Sequence, residues 1–141
     1  MLGFSDLSIS ILLLGLVGLT WGQSIKIKLS ARGLVPGDAI WGPPDPFVKV
    51  GYAIGSNSFV NIGKTSVQHT HNPVWDQTFD FQYVEVLDQR LQFEVVEDDV
   101  FFDDKYGTVH ISTADILFAP GKVLERNFGK GVKISCGFVL I

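Results

Sequence analysis

The chain of 141 residues is short of the features that staple or specialise a small protein. It has one cysteine, Cys136, so an intramolecular disulfide is excluded and the fold must be held by its core. Cys136 lies in the apolar run VKISCGFVLI, where burial is the expected state of a lone thiol. Only three histidines are present, His69, His71 and His110. His69 and His71 sit beside Asn72-Pro73 with no third ligand at zinc-site spacing, no acidic partner alongside and no glycine-framed serine. Catalysis is therefore not expected, and these histidines read as satisfied or exposed surface groups. Positive charge is scarce too. With 11 Lys+Arg against 15 Asp+Glu, the chain has no general attraction for nucleic acid or anionic lipid, and no nucleic-acid partner is expected.

A long hydrophobic run is also missing. The stretch from Leu7 to Leu19, about 13 residues, falls short of the roughly 20 that a spanning helix needs. It has the length of a signal-peptide core, and the small residues Thr20 and Gly22 suit cleavage after Gly22. The leading segment carries Asp6 and no Lys or Arg, which is unusual for such a leader. The expectation is a cleaved signal peptide over residues 1–22, a single domain over 23–141, and a secreted, extracellular protein. Asp6 is the one charged residue of that leader, so 14 acidic residues remain against 11 basic ones.

What is present reads as strand. Ile25, Ile27 and Leu29 alternate with Lys26, Lys28 and Ser30, the period of a half-buried strand. The stretch GLVPGDAIWGPPD is too broken by Gly and Pro for either regular structure. Further strand-like runs are FVKVGYAI, Phe59 to Lys64, KTSVQHT, Phe79-Phe81-Tyr83, Leu91-Phe93-Val95, Val109-Ile111 and GVKISCGFVLI. One helical turn is expected near Ser112 to Ile116. Short strands with turn residues at this spacing predict an all-β fold, an eight-stranded antiparallel β-sandwich. Eleven Phe, three Trp and three Tyr supply its core, each buried aromatic removing ~150–250 Å² from water.

Two loops carry unusual chemistry. One holds Asp38 and Asp45; the other, EDDVFFDDKYG, holds Glu97, Asp98, Asp99, Asp103 and Asp104. Like charges at this density destabilise a fold unless a cation compensates them, and calcium takes 6–8 oxygen ligands from such loops. Continuing the alternation of Leu91, Phe93 and Val95 puts Glu97 and Asp99 on one side and Asp98 on the other. A solvated acidic loop with no metal reads equally well from these residues alone. The same loops hold Ile40 and Trp41 in the first, and Val100, Phe101 and Phe102 in the second. Large apolar groups between acids suit insertion into a membrane interface, the competing reading being that they fold back onto the core.

These residues resemble the C2 domain family. DPFVKV (Asp45 to Val50) is similar to the aspartate-proline opening of the family's second strand. KTSVQHTHNPVWDQTFDF carries Lys64, Thr65, Asn72, Pro73, Trp75, Phe79 and Phe81 in the pattern of a second signature segment, and the acidic stretch ending at Gly107 looks like the third loop. The GLVPGD opening and aromatic tips are most similar to the C-terminal C2 domain of perforin-like proteins. The resemblance implies a calcium site in which Asp38 and Asp45 match the first-loop aspartates. Glu97 stands where the family has an aspartate, Asp99 matches the second acid, and the last is Asp103 or Asp104.

The function implied is calcium-dependent docking on a phospholipid membrane surface, with Ile40, Trp41, Val100, Phe101 and Phe102 inserting. Lys49 and Lys64 alone make a poor lysine cluster for inositol lipids. The alternative is a calcium-independent extracellular protein-interaction module, and a separate membrane-acting or cell-surface protein remains a candidate partner.

Overall fold

Alternating apolar side chains in short runs drive the chain into strands because a strand presents every second residue to one face. A computed structural model describes residues 23–35, 42–100, 103–128 and 133–140. The strands are β1 (Gln23–Arg32), β2 (Pro46–Ile54), β3 (Val60–Lys64), β4 (Val74–Tyr83), β5 (Gln89–Glu97), β6 (Asp104–Ser112), β7 (Val123–Asn127) and β8 (Lys133–Leu140). A short helix α1 (Thr113–Phe118) and a 3₁₀ turn (Pro120–Lys122) join β6 to β7.

Two antiparallel four-stranded sheets result, ordered β4-β1-β8-β7 and β3-β2-β5-β6. Between them lies one cluster in which Ile27 and Leu29 of β1, Val48 and Val50 of β2, and Leu91, Phe93 and Val95 of β5 are buried. The charged neighbours of these residues, such as Lys28, face out. Trp75 is 1% exposed, and its indole Nε1–H donates to the Ser66 carbonyl at 3.0 Å, so its polar edge is satisfied inside the core. Burying side chains of the Trp75 and Phe93 class contributes on the order of 2–3 kcal/mol each. Cys136 is fully buried and its thiol is pushed above the ordinary range by burial, which keeps it protonated and inert.

Two runs depart from the sequence expectation. KTSVQHT does not form a strand beyond Lys64. Instead Thr65, Gln68 and Thr70 send their N–H groups to the carbonyls of Val48, Pro46 and Pro44, at 2.9, 3.0 and 3.0 Å, and so line the start of β2 irregularly. Conversely VLERN, which is not among the strand-like runs named above, becomes β7 by pairing with β8 from Val123↔Gly137 to Asn127↔Lys133. Both differences have one cause: backbone partners far away in sequence decide whether a weak β pattern completes a ladder.

The register places every junction that matters at one end. Arg32 pairs with Lys133, Ser30 with Val74, Pro46 with Glu97, and Glu97 with Asp104. The strand ends that bound the connections 33–45, 65–73, 98–103 and 128–132 therefore lie together. Phe128 is seated close to β6, because a Cβ added at Gly107 would lie 2.4 Å from its carbonyl oxygen. Gly107→Ala is expected to lower unfolding stability by about 1–3 kcal/mol, as backbone must move to relieve the overlap. An unchanged urea midpoint would show that this close approach does not constrain the fold.

Candidate functional site

At the loop end, two carboxylates are held by partners from elsewhere in the chain. β2 begins with the conformationally fixed pair Pro44 and Pro46 around Asp45, which delivers Asp45 to the mouth of the sandwich. The Asp45 backbone carbonyl accepts from Asp98 N at 2.9 Å, joining the first acidic loop to the second. The Asp45 side chain accepts from His69: Nδ1 lies 2.6 Å from Oδ1. The sequence reading that His69 has no acidic partner is thus corrected, because the partner is 24 residues away and reaches it only through the fold. His71 is also satisfied, its Nδ1 lying 2.6 Å from the Leu34 carbonyl oxygen. Asn72 Oδ1 accepts from Gly33 N and Thr70 N donates to the Pro44 carbonyl, each at 3.0 Å, so the 65–73 connection braces the two described ends of the first acidic loop.

Glu97 is positioned by a ladder irregularity. Between β5 and β6, Val95 pairs with Gly107 but Val96 pairs with Lys105, leaving Tyr106 as the extra residue of a bulge. A bulge re-aims the side chain it carries. The Tyr106 ring packs against the core cluster while its hydroxyl donates to Glu97 Oε2 at 3.1 Å. Burial, then the hydrogen bond and charge of Glu97, then the charges of Asp104 and Asp45, all push the tyrosine hydroxyl above its ordinary value. The ladders set Glu97 opposite Asp104 and opposite Pro46, the neighbour of Asp45, so the three acids share one end of the sheet. Because an O–H raised in this way keeps its proton, Tyr106 acts as a fixed donor toward Glu97.

The remaining acids of the second loop are exposed. Asp99 Oδ1 accepts from Val100 N at 2.6 Å, a local side-chain-to-backbone bond at an exposed carboxylate. Asp98 and Asp103 are exposed, and Val100 is 90% exposed with no core to cover it. For Val100, folding back onto the core is excluded. Asp38, Ile40, Trp41, Phe101 and Phe102 lie outside the described residues. Among the described residues no group of three His, Cys, Asp or Glu side chains converges closely enough to hold a metal ion. Tyr106 and His69 are the residues that sequence reasoning missed. Tyr106 carried a faint signal, an aromatic inside the acidic run just before Gly107; His69 carried none.

The lysines noted in the sequence sit on the outer face of the other sheet. Lys49 and Lys64 are cross-strand partners, both over the Phe47 ring at 5.7 and 5.6 Å. Glu94 is interleaved, 4.0 Å from Lys49 and 2.7 Å from Lys105, so this face is charge-mixed rather than basic.

Tyr106→Phe keeps the packed ring and deletes the hydroxyl that serves Glu97. It is expected to cost about 1 kcal/mol of unfolding free energy, the scale of one part-exposed bond to a carboxylate. Equal stability of the two proteins by urea unfolding would show that the bond holds nothing in place.

Comparison with known proteins agrees with this fold. Human extended synaptotagmin-3 is 30% identical over 76 residues, which is 54% of this chain and 8% of that protein's length. A solved C2 domain is similar over 84% of this chain and 97% of its own, with 28% identity and a TM-score of 0.61. Human GIVD cytosolic phospholipase A2, solved with an inhibitor and terbium chloride, matches 86% of this chain. That match has 21% identity and a TM-score of 0.65, but takes in 17% of the phospholipase chain. The family model for the C2 domain matches residues 24–128, and the chain belongs to the C2 domain family.

Proposed function

We propose that the protein is an extracellular membrane-docking module whose acidic loop end binds calcium and whose apolar loop tips then enter the bilayer interface. The observation that carries this reading is the meeting of the two acidic loops at one end of the β2-β5-β6 ladder. Glu97 stands opposite Asp104 and opposite Pro46, the neighbour of Asp45, and Asp98 N donates to the Asp45 carbonyl at 2.9 Å, while Val100 projects bare from the second loop. Crowded carboxylates and an uncovered apolar tip both gain from a membrane partner, the first through a shared cation and the second through desolvation.

The donor chemistry fits calcium. The groups at this end are hard carboxylate oxygens, and the histidine among them is turned to Asp45. Asp45, Glu97, Asp99 and Asp104, with Asp38 from the first loop, would hold the ion; Asp103 is the alternative to Asp104. When bound, calcium supplies neutralisation of these acids and a bridge to lipid phosphate. The chain's own residues do the rest. The Asp98–Asp45 backbone bond keeps the two loops together, His69 and Tyr106 orient one carboxylate in each, and Val100 with Ile40, Trp41, Phe101 and Phe102 forms the inserting edge. Burying a Phe-sized group yields ~1.5–3 kcal/mol, so a few such groups suffice for reversible attachment.

The apolar run at Leu7 to Leu19 supports a secretory leader and hence an extracellular setting, where modules with dissociation constants of about 10⁻⁴–10⁻³ M are filled. The GLVPGD opening and the aromatic tips support the perforin-like subtype within the family. A second reading, calcium-independent binding of a cell-surface protein, is favoured by one observation: Asp45 and Glu97 already have protein donors.

Liposome co-sedimentation of residues 23–141 in millimolar calcium and in excess EGTA separates the two. The docking reading expects sedimentation with calcium alone, abolished by Asp45→Asn or Asp99→Asn. Trp41→Ala combined with Phe102→Ala should release the protein from lipid while calcium binding, read by calorimetry, persists. Folded protein that sediments in neither condition would sink the membrane reading and favour the protein-partner one.

A further inference from the structure

We infer that the outer face of the β4-β1-β8-β7 sheet carries an oxyanion subsite, and that its occupant is the phosphate of an anionic phospholipid headgroup. The lipid source rests on the membrane reading above; the anion chemistry rests on the face itself. On β1, Ile27, Leu29 and Ala31 point into the core, which turns Ser30 and Arg32 outward. The antiparallel register sets Ser135 opposite Ser30 and Lys133 opposite Arg32, and sets Glu125 of β7 beside Ser135. Together they line a dent of about 100 Å³. A dent of this size has room for a small tetrahedral anion.

Apart from the Glu125 carboxylate, which Arg32 engages, the polar side chains of the lining are donors. Two hydroxyls face each other across adjacent strands, with a guanidinium and an ammonium one strand-pleat further along. Arg32 donates to Glu125 Oε2 at 2.9 Å through Nη2, which aims the fork across the sheet and leaves its other N–H donors unused among the described residues. The pair is about half exposed on both sides, 58% and 48%, and such pairs hold little free energy that an incoming anion must displace. Ser30, Ser135 and Lys133 have no side-chain partner among the described residues.

Position selects the source of the anion. Arg32 is the last residue of β1 and Lys133 the first of β8, so the dent lies at the same end as Asp45 and Glu97. A domain that meets a bilayer loops-first brings this rim to the headgroup layer, where each basic side chain strengthens attraction to anionic lipid several-fold. The dent is separate from the charge-mixed face of Lys49, Glu94 and Lys105 on the other sheet.

The test pairs a soluble probe with vesicles, using wild type and Arg32→Gln/Lys133→Gln. Titration with inorganic phosphate, read by amide chemical shifts, should move Ser30 and Ser135 in wild type and leave them still in the variant. With calcium present, the variant should lose about tenfold in affinity for phosphatidylcholine–phosphatidylserine vesicles and nothing for pure phosphatidylcholine. Shifts with phosphate but equal vesicle affinity would overturn the headgroup as occupant. No shifts, whatever the vesicles do, would overturn the subsite. Failure of wild type to bind either vesicle would instead remove the docking reading, and with it the lipid occupant, while the phosphate titration still judges the dent.

Discussion

Repulsion among carboxylates at one end of the sandwich is the constraint on which the rest of this structure turns. Two such charges at 4 Å repel by about 1 kcal/mol in bulk water and about 4 kcal/mol near a protein surface. Several gathered from two loops would splay those loops apart unless something opposed them. Here the opposition is built from neutral or distant groups: the Asp98 N–H on the Asp45 carbonyl, the His69 ring on the Asp45 carboxylate, and the Tyr106 hydroxyl on Glu97. Each contributes modestly, and together they tie the two acidic loops to each other and to the sheet.

The fold supplies what those local bonds cannot. β1 lies between β4 and β8, and β5 between β2 and β6, so each sheet has a buried spine whose ladder cannot slip by one residue without turning its apolar side outward. That fixed register is what carries Arg32, Pro46, Glu97, Asp104 and Lys133 to the same end. The bulge at Tyr106 is the one deliberate irregularity in the β5–β6 ladder, and it spends a backbone pairing to aim a hydroxyl at Glu97. Gly107 follows it because the Phe128 carbonyl passes too close for any side chain. Rigidity of the sheets and placement of the acids are thus the same fact seen from two distances.

Charge is sorted by face in a chain whose net charge is only −4. Acids occupy the loop end, lysines and glutamate alternate on the outer face of β2 and β5, and the outer face of β1 and β8 offers Arg32 and Lys133 beside two serines. A bilayer carries apolar tails, phosphates and mobile cations in successive layers. On the docking reading proposed above, bare Val100, the carboxylates and the basic rim would each meet one of these layers.

By itself the sequence determined the all-β character, the core, the burial of Cys136 and the two acidic loops. Alternation such as Ile27-Leu29 and Leu91-Phe93-Val95 is a local code, and the density of Asp, Phe and Trp between Gly and Pro is visible without coordinates. The tertiary structure alone decided that VLERN is a strand and that KTSVQHT beyond Lys64 is not, since each depends on a partner that no local pattern names. It alone brought His69 to Asp45, aimed Tyr106 at Glu97, and set Ser135 and Lys133 opposite Ser30 and Arg32. The physical reason is the same throughout: burial pattern is written along the chain one residue at a time, whereas register, bulges and cross-loop hydrogen bonds exist only between segments that folding has brought together.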